Sequence, residues 1–327
     1  MATWHVELMR KGPGLLLRDM GRGDPQVKAV ADVTAHVAPD ILLLTGVDWD
    51  FGGATARSLA DQLGFAHVLS LEPNAGLMTG LDLDGDGKLG GPADAQGYGR
   101  FRGHGGMVLL SKHEIGKVVD HSAALWADQP GALLPVVDGK LFPSEAAYEV
   151  QRLSSVGHWE VRVSGLRLLA FSAGPPVFDG PEDRNGRRNH DEITFWARLL
   201  DGEARVPLVI LGNANLDPTD GDGRREAING LLAHPTLQDP KPRSMGGAEA
   251  ALAQGGVNAQ HRGDPALDTA DWRDQDGPGN LRVSYVLPSA GLEATAAGVF
   301  WPAEDDPLRA LLGGGLRHHL VWVDLEL

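Results

Sequence analysis

Cysteine is absent from the 327-residue chain. Disulfide bonds, thiol nucleophiles and thiolate zinc sites are therefore all excluded. No stretch reaches the roughly 20 apolar residues that a membrane span needs, and the first residues, MATWHVELMRKGPG, lack the apolar run of a signal peptide. We therefore expect neither a membrane span nor a signal peptide within this sequence, and the compartment stays unknown.

Positive charge is also scarce. Acids outnumber bases by 44 to 29, which gives a net charge of −15. Such a chain repels a polyanion unless a local basic patch or metal ions compensate, so nucleic acid is not the expected partner. The hydrophobic content of 42% supports a sizeable core, and no linker interrupts the chain. We therefore expect a single domain over residues 1–327.

The most informative stretch runs from Leu208 to Gly223 and reads LVILGNANLDPTDGDG. Its apolar, β-branched start predicts a buried strand that delivers amide and carboxylate side chains to a loop. The ends of strands in open α/β folds are a common place for chemistry. The alternative is a polar turn that simply closes a core strand.

This strand and loop resemble the G-D-x-N motif of the endonuclease/exonuclease/phosphatase superfamily, which has the deoxyribonuclease I-like fold. The final LRHHLVWVDL resembles the S-D-H-x-x-V strand that ends these domains, and the DLDGDG and PPVFDGPEDRNG phrases resemble a bacterial branch labelled phytase or esterase. The likeness spans nearly the whole chain. It implies an α/β fold, a four-layer sandwich in which two mixed β-sheets pack face to face with helices outside.

The resemblance also implies the roles of individual residues. The family uses the Asp of G-D-x-N to align or deprotonate water and the Asn to hold phosphate, but here Asn213 replaces the Asp and only Asn215 keeps its place. An amide cannot take a proton at neutral pH. His318 occupies the place of the final His, whereas Leu316 and Arg317 replace the Ser and Asp before it.

The other site positions are substituted as well. By position, His5 stands for an Asn, Gly46 for a metal-binding Glu or Asp, and Ser284 for an orienting Asp. Ser172 falls where the family has a His that supports the leaving group. The family metal, Mg²⁺ or Mn²⁺, is thus left with few ligands, and Asp48 is a weak candidate to replace the missing one.

Several further side chains are candidates for binding a substrate. They are Arg152, His158, Ser172 and Arg187. His158 lies beside a Trp, so it is equally well interpreted as a packed, hydrogen-bonded residue. The acids between Asp179 and Asp191 either line a substrate mouth or cap a helix that we expect to begin near Asp191.

A second metal motif precedes these segments. Asp82, Asp84, Asp86 and Gly87 match the D-x-D-x-D-G start of a calcium loop, in which alternate oxygens converge on a hard cation. The closing Glu is absent, because the twelfth position is Ala93. The sequence therefore predicts either a partial calcium site or a solvated acidic turn.

Three functions follow from these patterns. The first is a catalytically impaired or inactive family member that acts as a binding protein for a phosphorylated small molecule or a protein. The second is an active phosphoesterase with a rebuilt metal site that includes His5, Asp48, Asp217 and His318. The third is a structural or surface protein that calcium stabilises.

Overall fold

The computed structural model describes residues 1–201, 207–313 and 315–326. The strands are β1 (Ala2–Leu8), β2 (Ile41–Val47), β3 (His67–Leu69), β4 (Gly106–Ser111), β5 (Ile115–Asp120), β6 (Val136–Val137), β7 (Lys140–Leu141), β8 (Gly157–Val163), β9 (Leu166–Ser172), β10 (Leu208–Asn213), β11 (Ala270–Asp271), β12 (Asn280–Leu281), β13 (Ser284–Pro288), β14 (Glu293–Phe300) and β15 (Leu320–Glu326). The helices are α1 (Leu15–Met20), α2 (Pro25–Val37), α3 (Ala54–Leu63), α4 (Glu145–Val150), α5 (Arg184–Asp201), α6 (Glu226–Leu232) and α7 (Met245–Gln254).

Two large mixed sheets form the centre of the fold. One has the strand order β14-β15-β1-β2-β4-β3, and the other has the order β13-β10-β9-β8-β5. The sheets pack face to face through buried apolar side chains such as Leu43 and Leu109 of the first sheet and Leu168 and Val209 of the second. Burial of these alternating side chains is the main force that joins the sheets.

Helices cover the outer face of each sheet. Helices α1, α2 and α3 bury Leu16, Val30 and Leu59 against the first sheet, and α5 and α6 bury Trp196 and Ile228 against the second. The chain is therefore the four-layer α/β sandwich expected from the sequence. Among the described residues, no helix is long and apolar enough to cross a bilayer.

Local sequence signals account for several element boundaries. Helix α2 begins after Asp24, whose carboxylate accepts hydrogen bonds from the backbone N–H groups of Gln26 and Val27 at 2.9 and 3.1 Å. Such an N-cap satisfies two of the N–H groups that lack helical partners. The helix ends at Val37, just before Pro39, as its spacing predicts.

Three segments differ from the sequence expectation. Helix α5 begins at Arg184 and not near Asp191, because the polar residues in its first turns are buried and hydrogen-bonded. Pro130, Pro135 and Pro143 predict an irregular surface insertion over residues 122–150. The segment instead contains α4 and buries Trp126 and Tyr148 in a small core of its own. The passage 240–279 is rich in Gly, Pro and Asp and lacks apolar periodicity, which predicts a surface loop, but it contains α7.

Candidate functional site

Four of the predicted catalytic residues lie together between the two sheets. Strand β1 provides His5, the end of β10 provides Asn213, and His318 lies just before β15. The rings of His5 and His318 have centroids 4.5 Å apart, and Asn213 Nδ2 lies 3.5 Å from His5 Nδ1. Asn213 Nδ2 also donates to Asn215 Oδ1 at 3.1 Å. The candidate site is therefore a group of imidazoles and amides.

The hydrogen bonds around His5 indicate its tautomer. Its Nδ1 lies 2.9 Å from the hydroxyl of Thr45 and faces the N–H of the Asn213 amide. Both neighbours can donate, so Nδ1 is assigned as the acceptor, and the neutral ring carries its proton on Nε2. Asn215 N donates to Asn213 Oδ1 at 3.3 Å, which agrees with this orientation of the Asn213 amide.

His5 fills the space beside Gly46, the position that resembles the family's metal ligand. Gly46 has a φ of +72°, and a Cβ placed on it would lie 2.7 Å from His5 Cε1 and 3.1 Å from His5 Nε2. The residue forms a bulge, because Thr45 and Val47 pair with consecutive residues of β4. A side chain at this position would need both a different backbone conformation and the removal of the ring.

The site carries no charge on its imidazoles at neutral pH. Burial lowers the pKa of His5 to about 4 and lowers the pKa of His318 well below its usual range. Within the described structure, His318 Nδ1 and the Ser284 hydroxyl are buried without a hydrogen-bond partner. Among the described residues, no hydrogen bond therefore orients the His318 ring through its Nδ1.

Ser172 and Ser284 flank Asn213 on the second sheet. Asn213 lies directly opposite Ser172 of β9 and Ser284 of β13. Residues that lie opposite one another on neighbouring strands have their side chains on the same face of the sheet. Both serine hydroxyls therefore lie on the same face as the Asn213 amide. All three are buried, and none of them is a base at pH 7.

Arg317, which precedes His318 in the chain, is paired with a residue of β1. Its guanidinium and backbone N–H contact the carboxylate of Glu7. Glu7 has a φ of 49°, at the irregularity between β1 and β2 that follows His5. The carboxylate of Glu7, which interacts electrostatically with His5, is therefore engaged in an ion pair.

The expected metal does not fit these residues. Gly46 offers no ligand atom, and the carboxylate of Asp48 accepts hydrogen bonds from Arg10 N at 2.8 Å and Gly105 N at 3.2 Å. Burial raises the pKa of Asp48 to about 6. In the described ranges, no three His or acidic side chains converge closely enough to hold a metal ion except Asp82, Asp84 and Asp86.

Three of the predicted substrate-binding residues have other partners. His158 is buried, its Nδ1 and Nε2 lie 2.9 Å from Ser154 Oγ and from the carbonyl oxygen of Glu192, and its ring packs against Trp196. The packed interpretation of His158 therefore accounts for both ring nitrogens. Arg152 Nη1 donates to Asn74 Oδ1 at 2.8 Å.

Arg187 belongs to the first turns of α5, where its Nε donates to the carbonyl oxygen of Glu182 at 3.2 Å. The acids before this helix form hydrogen bonds and ion pairs with residues near its start. Asp179 accepts a hydrogen bond from Asn185 N, and Asp183 forms an ion pair with Arg224. These contacts favour the capping interpretation over the substrate mouth.

The acidic loop has the geometry of an open turn. One oxygen each from Asp82, Asp84 and Asp86 lies within 4.8 Å of the others. Asp82 accepts hydrogen bonds from Gly85 N at 2.6 Å and Gly87 N at 2.9 Å. The loop is thus held in a curved form that points its carboxylates toward one another.

The sequence did not reveal the residues that fix the loops of the candidate site. Asn189 of α5 is fully buried, and its Nδ2 donates to the carbonyl oxygens of Gly174 and Ala214 at 2.7 and 2.8 Å. Glu192, one turn later, accepts a hydrogen bond from Gly174 N at 2.8 Å. Burial raises the pKa of Glu192 to about 7. Only a helical assignment from Arg184 onward would have placed these side chains on one face.

Comparison with known proteins agrees with this architecture. A family model described as Endonuclease/Exonuclease/phosphatase family matches residues 15–318. The chain belongs to this family. No curated protein sequence matches the chain significantly.

Several solved structures share the fold at low identity. One from Beutenbergia cavernae is 18% identical, covering 100% of this chain and 70% of that chain with a TM-score of 0.55. A variant of the Neisseria 3′ phosphatase NExo bound to a product DNA hairpin is 17% identical, covering 100% and 98%, with a TM-score of 0.55. The Bacteroides thetaiotaomicron mannosyl-6-phosphatase is 12% identical, covering 100% and 98%, with a TM-score of 0.51.

A double-mutant cycle tests the contact between His5 and Gly46. Gly46→Ala is expected to cost more unfolding free energy than Gly64→Ala, because both residues have positive φ but a Cβ on Gly64 meets nothing within 4 Å. The excess should be about 1–3 kcal/mol and should disappear in a His5→Ala background. Urea denaturation of the single and double variants measures it. Strict additivity of the two changes would contradict the contact.

The buried histidines predict a loss of stability in acid. The pKa of His5 is lower in the folded chain than in the unfolded chain, so its contribution is present above pH 6.5 and is lost as the pH falls toward 4. His5→Gln should therefore lose less stability than the parent between pH 7 and 4.5, by about 2 kcal/mol. Denaturation at both pH values, with exposed His113→Gln as the control, measures the difference. Equal losses in all three proteins would refute the prediction.

Proposed function

We propose that this endonuclease/exonuclease/phosphatase family protein does not hydrolyse phosphoesters and acts as a binding protein. The contact between the His5 ring and Gly46 carries the proposal. Gly46, at the position that resembles the metal ligand, has no side chain, and the His5 ring fills the space that a side chain would need. A phosphoesterase of this kind depends on a cation to stabilise developing negative charge, and this site does not supply the ligands for one.

The second support is the absence of a base in the group. Both the Nδ2 and the Oδ1 of the Asn213 side chain form hydrogen bonds with Asn215. An amide does not accept a proton at pH 7. A positioned general base contributes about 10²–10⁴-fold to a rate. His318 is neutral, but the described residues give its Nδ1 no orienting partner. Loss of both metal ligand and base should leave little turnover.

A rebuilt transition-metal site finds less support. Its expected members were His5, His318, Asp48 and Asp217. Asp217 is buried and accepts hydrogen bonds from Thr219 N, Asp220 N and Arg282 N, all between 2.6 and 2.7 Å. The carboxylates of Asp217 and Asp48 therefore stabilise loops through hydrogen bonds with backbone N–H groups.

A phosphorylated small molecule or a protein is the partner class that we propose. The family relation suggests the former, since its structural neighbours include a 3′ phosphatase and a mannosyl-6-phosphatase. Binding would rely on neutral imidazole and amide groups without a metal. The net charge of −15 disfavours nucleic acid.

An assay for hydrolysis tests the main proposal. Purified protein is expected to show no turnover of bis-p-nitrophenyl phosphate or p-nitrophenyl phosphate with Mg²⁺, Mn²⁺, Zn²⁺ or Ca²⁺, because neither a metal ligand nor a base is in place. His318→Ala serves as the matched control for contaminating activity. Turnover in the parent that disappears in this variant would overturn the proposal.

We also propose that the loop at Asp82, Asp84 and Asp86 binds calcium and stabilises the fold. The convergence of three carboxylates within 4.8 Å supports it. Between the first two of these acids lies Leu83, which is buried in a small core with Trp126. An ion in the loop would therefore tighten a segment that is packed onto the rest of the protein.

Thermal unfolding with and without calcium tests the loop. Calcium at 100 times its dissociation constant should stabilise the protein by about 2.7 kcal/mol, which raises the melting temperature. Asp84→Asn should abolish the shift, whereas Asp128→Asn, an exposed acid elsewhere, should leave it intact. The proposal fails if millimolar calcium, compared with EDTA, does not change the melting temperature.

A further inference from the structure

The carboxylate of Glu192 is fully buried in the middle of α5 and joins two separate segments of the chain. Its Oε1 accepts a hydrogen bond from the backbone N–H of Ser155, just before β8. Its Oε2 accepts one from Gly174 N, just after β9, at 2.8 Å. Each oxygen therefore has its own backbone donor. Both oxygens can act as full acceptors only while the group is ionised.

The charge of this carboxylate is not cancelled by a directly bonded cation. Within the described structure, Arg188, one turn earlier on α5, interacts with Glu192 electrostatically. The Arg188 guanidinium donates to the carbonyl oxygens of Leu153 and Ser154 at 2.8 and 3.1 Å and not to Glu192. His158 Nε2 lies 2.9 Å from the backbone oxygen of Glu192, but burial lowers the pKa of this ring to about 4, so it is neutral at pH 7. Burial outweighs the attraction of Arg188 and raises the pKa of Glu192 to about 7.

The Gly174 end of this connection leads directly to the candidate site. Asn189 donates to the carbonyl oxygen of Gly174 at 2.7 Å, so α5 holds both backbone polar groups of this residue. The preceding Ala173 accepts a hydrogen bond from Asn215 Nδ2 at 2.7 Å, and its N–H donates to the carbonyl oxygen of Asn213 at 2.9 Å. The position of the Asn215 amide therefore depends on this short segment and, through it, on α5.

A proton on either oxygen of Glu192 changes this arrangement. The protonated oxygen becomes a donor, and the carboxyl group loses the charge that strengthens both backbone hydrogen bonds. A hydrogen bond to a charged acceptor is roughly twice as strong as one between neutral groups. The neutral form of Glu192 therefore holds Ser155 N and Gly174 N less firmly than the ionised form.

We propose that Glu192 is a pH-sensitive switch: its protonation in weakly acidic conditions weakens the hold of α5 on Gly174 and so frees the Asn215 side chain. Ionisation restores the hydrogen bonds and fixes Asn215 in the position seen in the structure. The inference rests on the contacts of α5 and not on hydrolysis or ligand binding, so it holds whatever the candidate site binds.

Nuclear magnetic resonance of the whole ¹⁵N-labelled chain tests the switch. Between pH 5.5 and 8.5, the signals of the Gly174 amide and of the Asn215 side-chain amide should shift together with one midpoint at about pH 7. Both groups belong to the same hydrogen-bonded segment, so both should report the charge of Glu192. Below the midpoint, the protection of the Gly174 amide against hydrogen exchange, corrected for the intrinsic rate, should fall about fivefold.

Variants assign the midpoint to one residue. Glu192→Gln cannot ionise and should abolish the shared step. Glu149→Gln removes the same charge at an exposed position of α4 and should titrate like the parent. A step in the Gly174 and Asn215 signals that persists in Glu192→Gln, or no step in the parent, would overturn the inference.

The parent protein alone decides the question if Glu192→Gln does not fold. With ¹³C in its glutamate carboxyl groups, one carboxyl signal should titrate at the midpoint of the Gly174 amide. The inference fails if no glutamate carboxyl shares that midpoint.

Discussion

The contact of the His5 ring with Gly46 is the constraint on which the character of the candidate site depends. The ring occupies the space next to a glycine whose φ of +72° is favourable only without a side chain. The bulge in β2 and the irregular pairing of β1 both occur at this level. The conformation of Gly46 and the position of the His5 ring are therefore coupled, so a change of one residue affects the other.

The contacts that hold the fold together are separate from the polar groups of the candidate site. The two sheets are held together by apolar side chains such as Leu43 and Leu168, which do not depend on the groups at the strand ends. Changes in the polar groups of the candidate site can therefore leave the fold intact, because function resides in a site that the fold carries.

The resemblance to the family predicted that Asn213, Asn215, His5 and His318 belong to one site. In the structure Asn213 contacts His5 and Asn215, and the His5 ring lies beside that of His318. The sequence did not predict the surroundings of Asp48. That carboxylate accepts hydrogen bonds from the backbone N–H groups of Arg10 and Gly105, which lie in loops far from Asp48 in the chain. Contacts of this kind have no local sequence signal.

Helix α5 was the hardest element to delimit for a related reason. Its buried face is polar, with Arg188, Asn189 and Glu192 in place of the expected apolar stripe. Each of these side chains bonds to backbone groups of other segments, so hydrophobic periodicity gives no indication of where the helix begins. Helix α7 was missed because Gly246 and Gly247 in its first turn are typical of loops.

The same polar face of α5 joins two distant parts of the molecule. Arg188 donates to the carbonyl oxygen of Gln96, in the segment that follows the acidic loop, while Asn189 holds the carbonyl oxygen of Ala214, between the two amides of the candidate site. Adjacent residues of one helix therefore hold both loops, and a shift of α5 along its axis would change the hydrogen bonds of both.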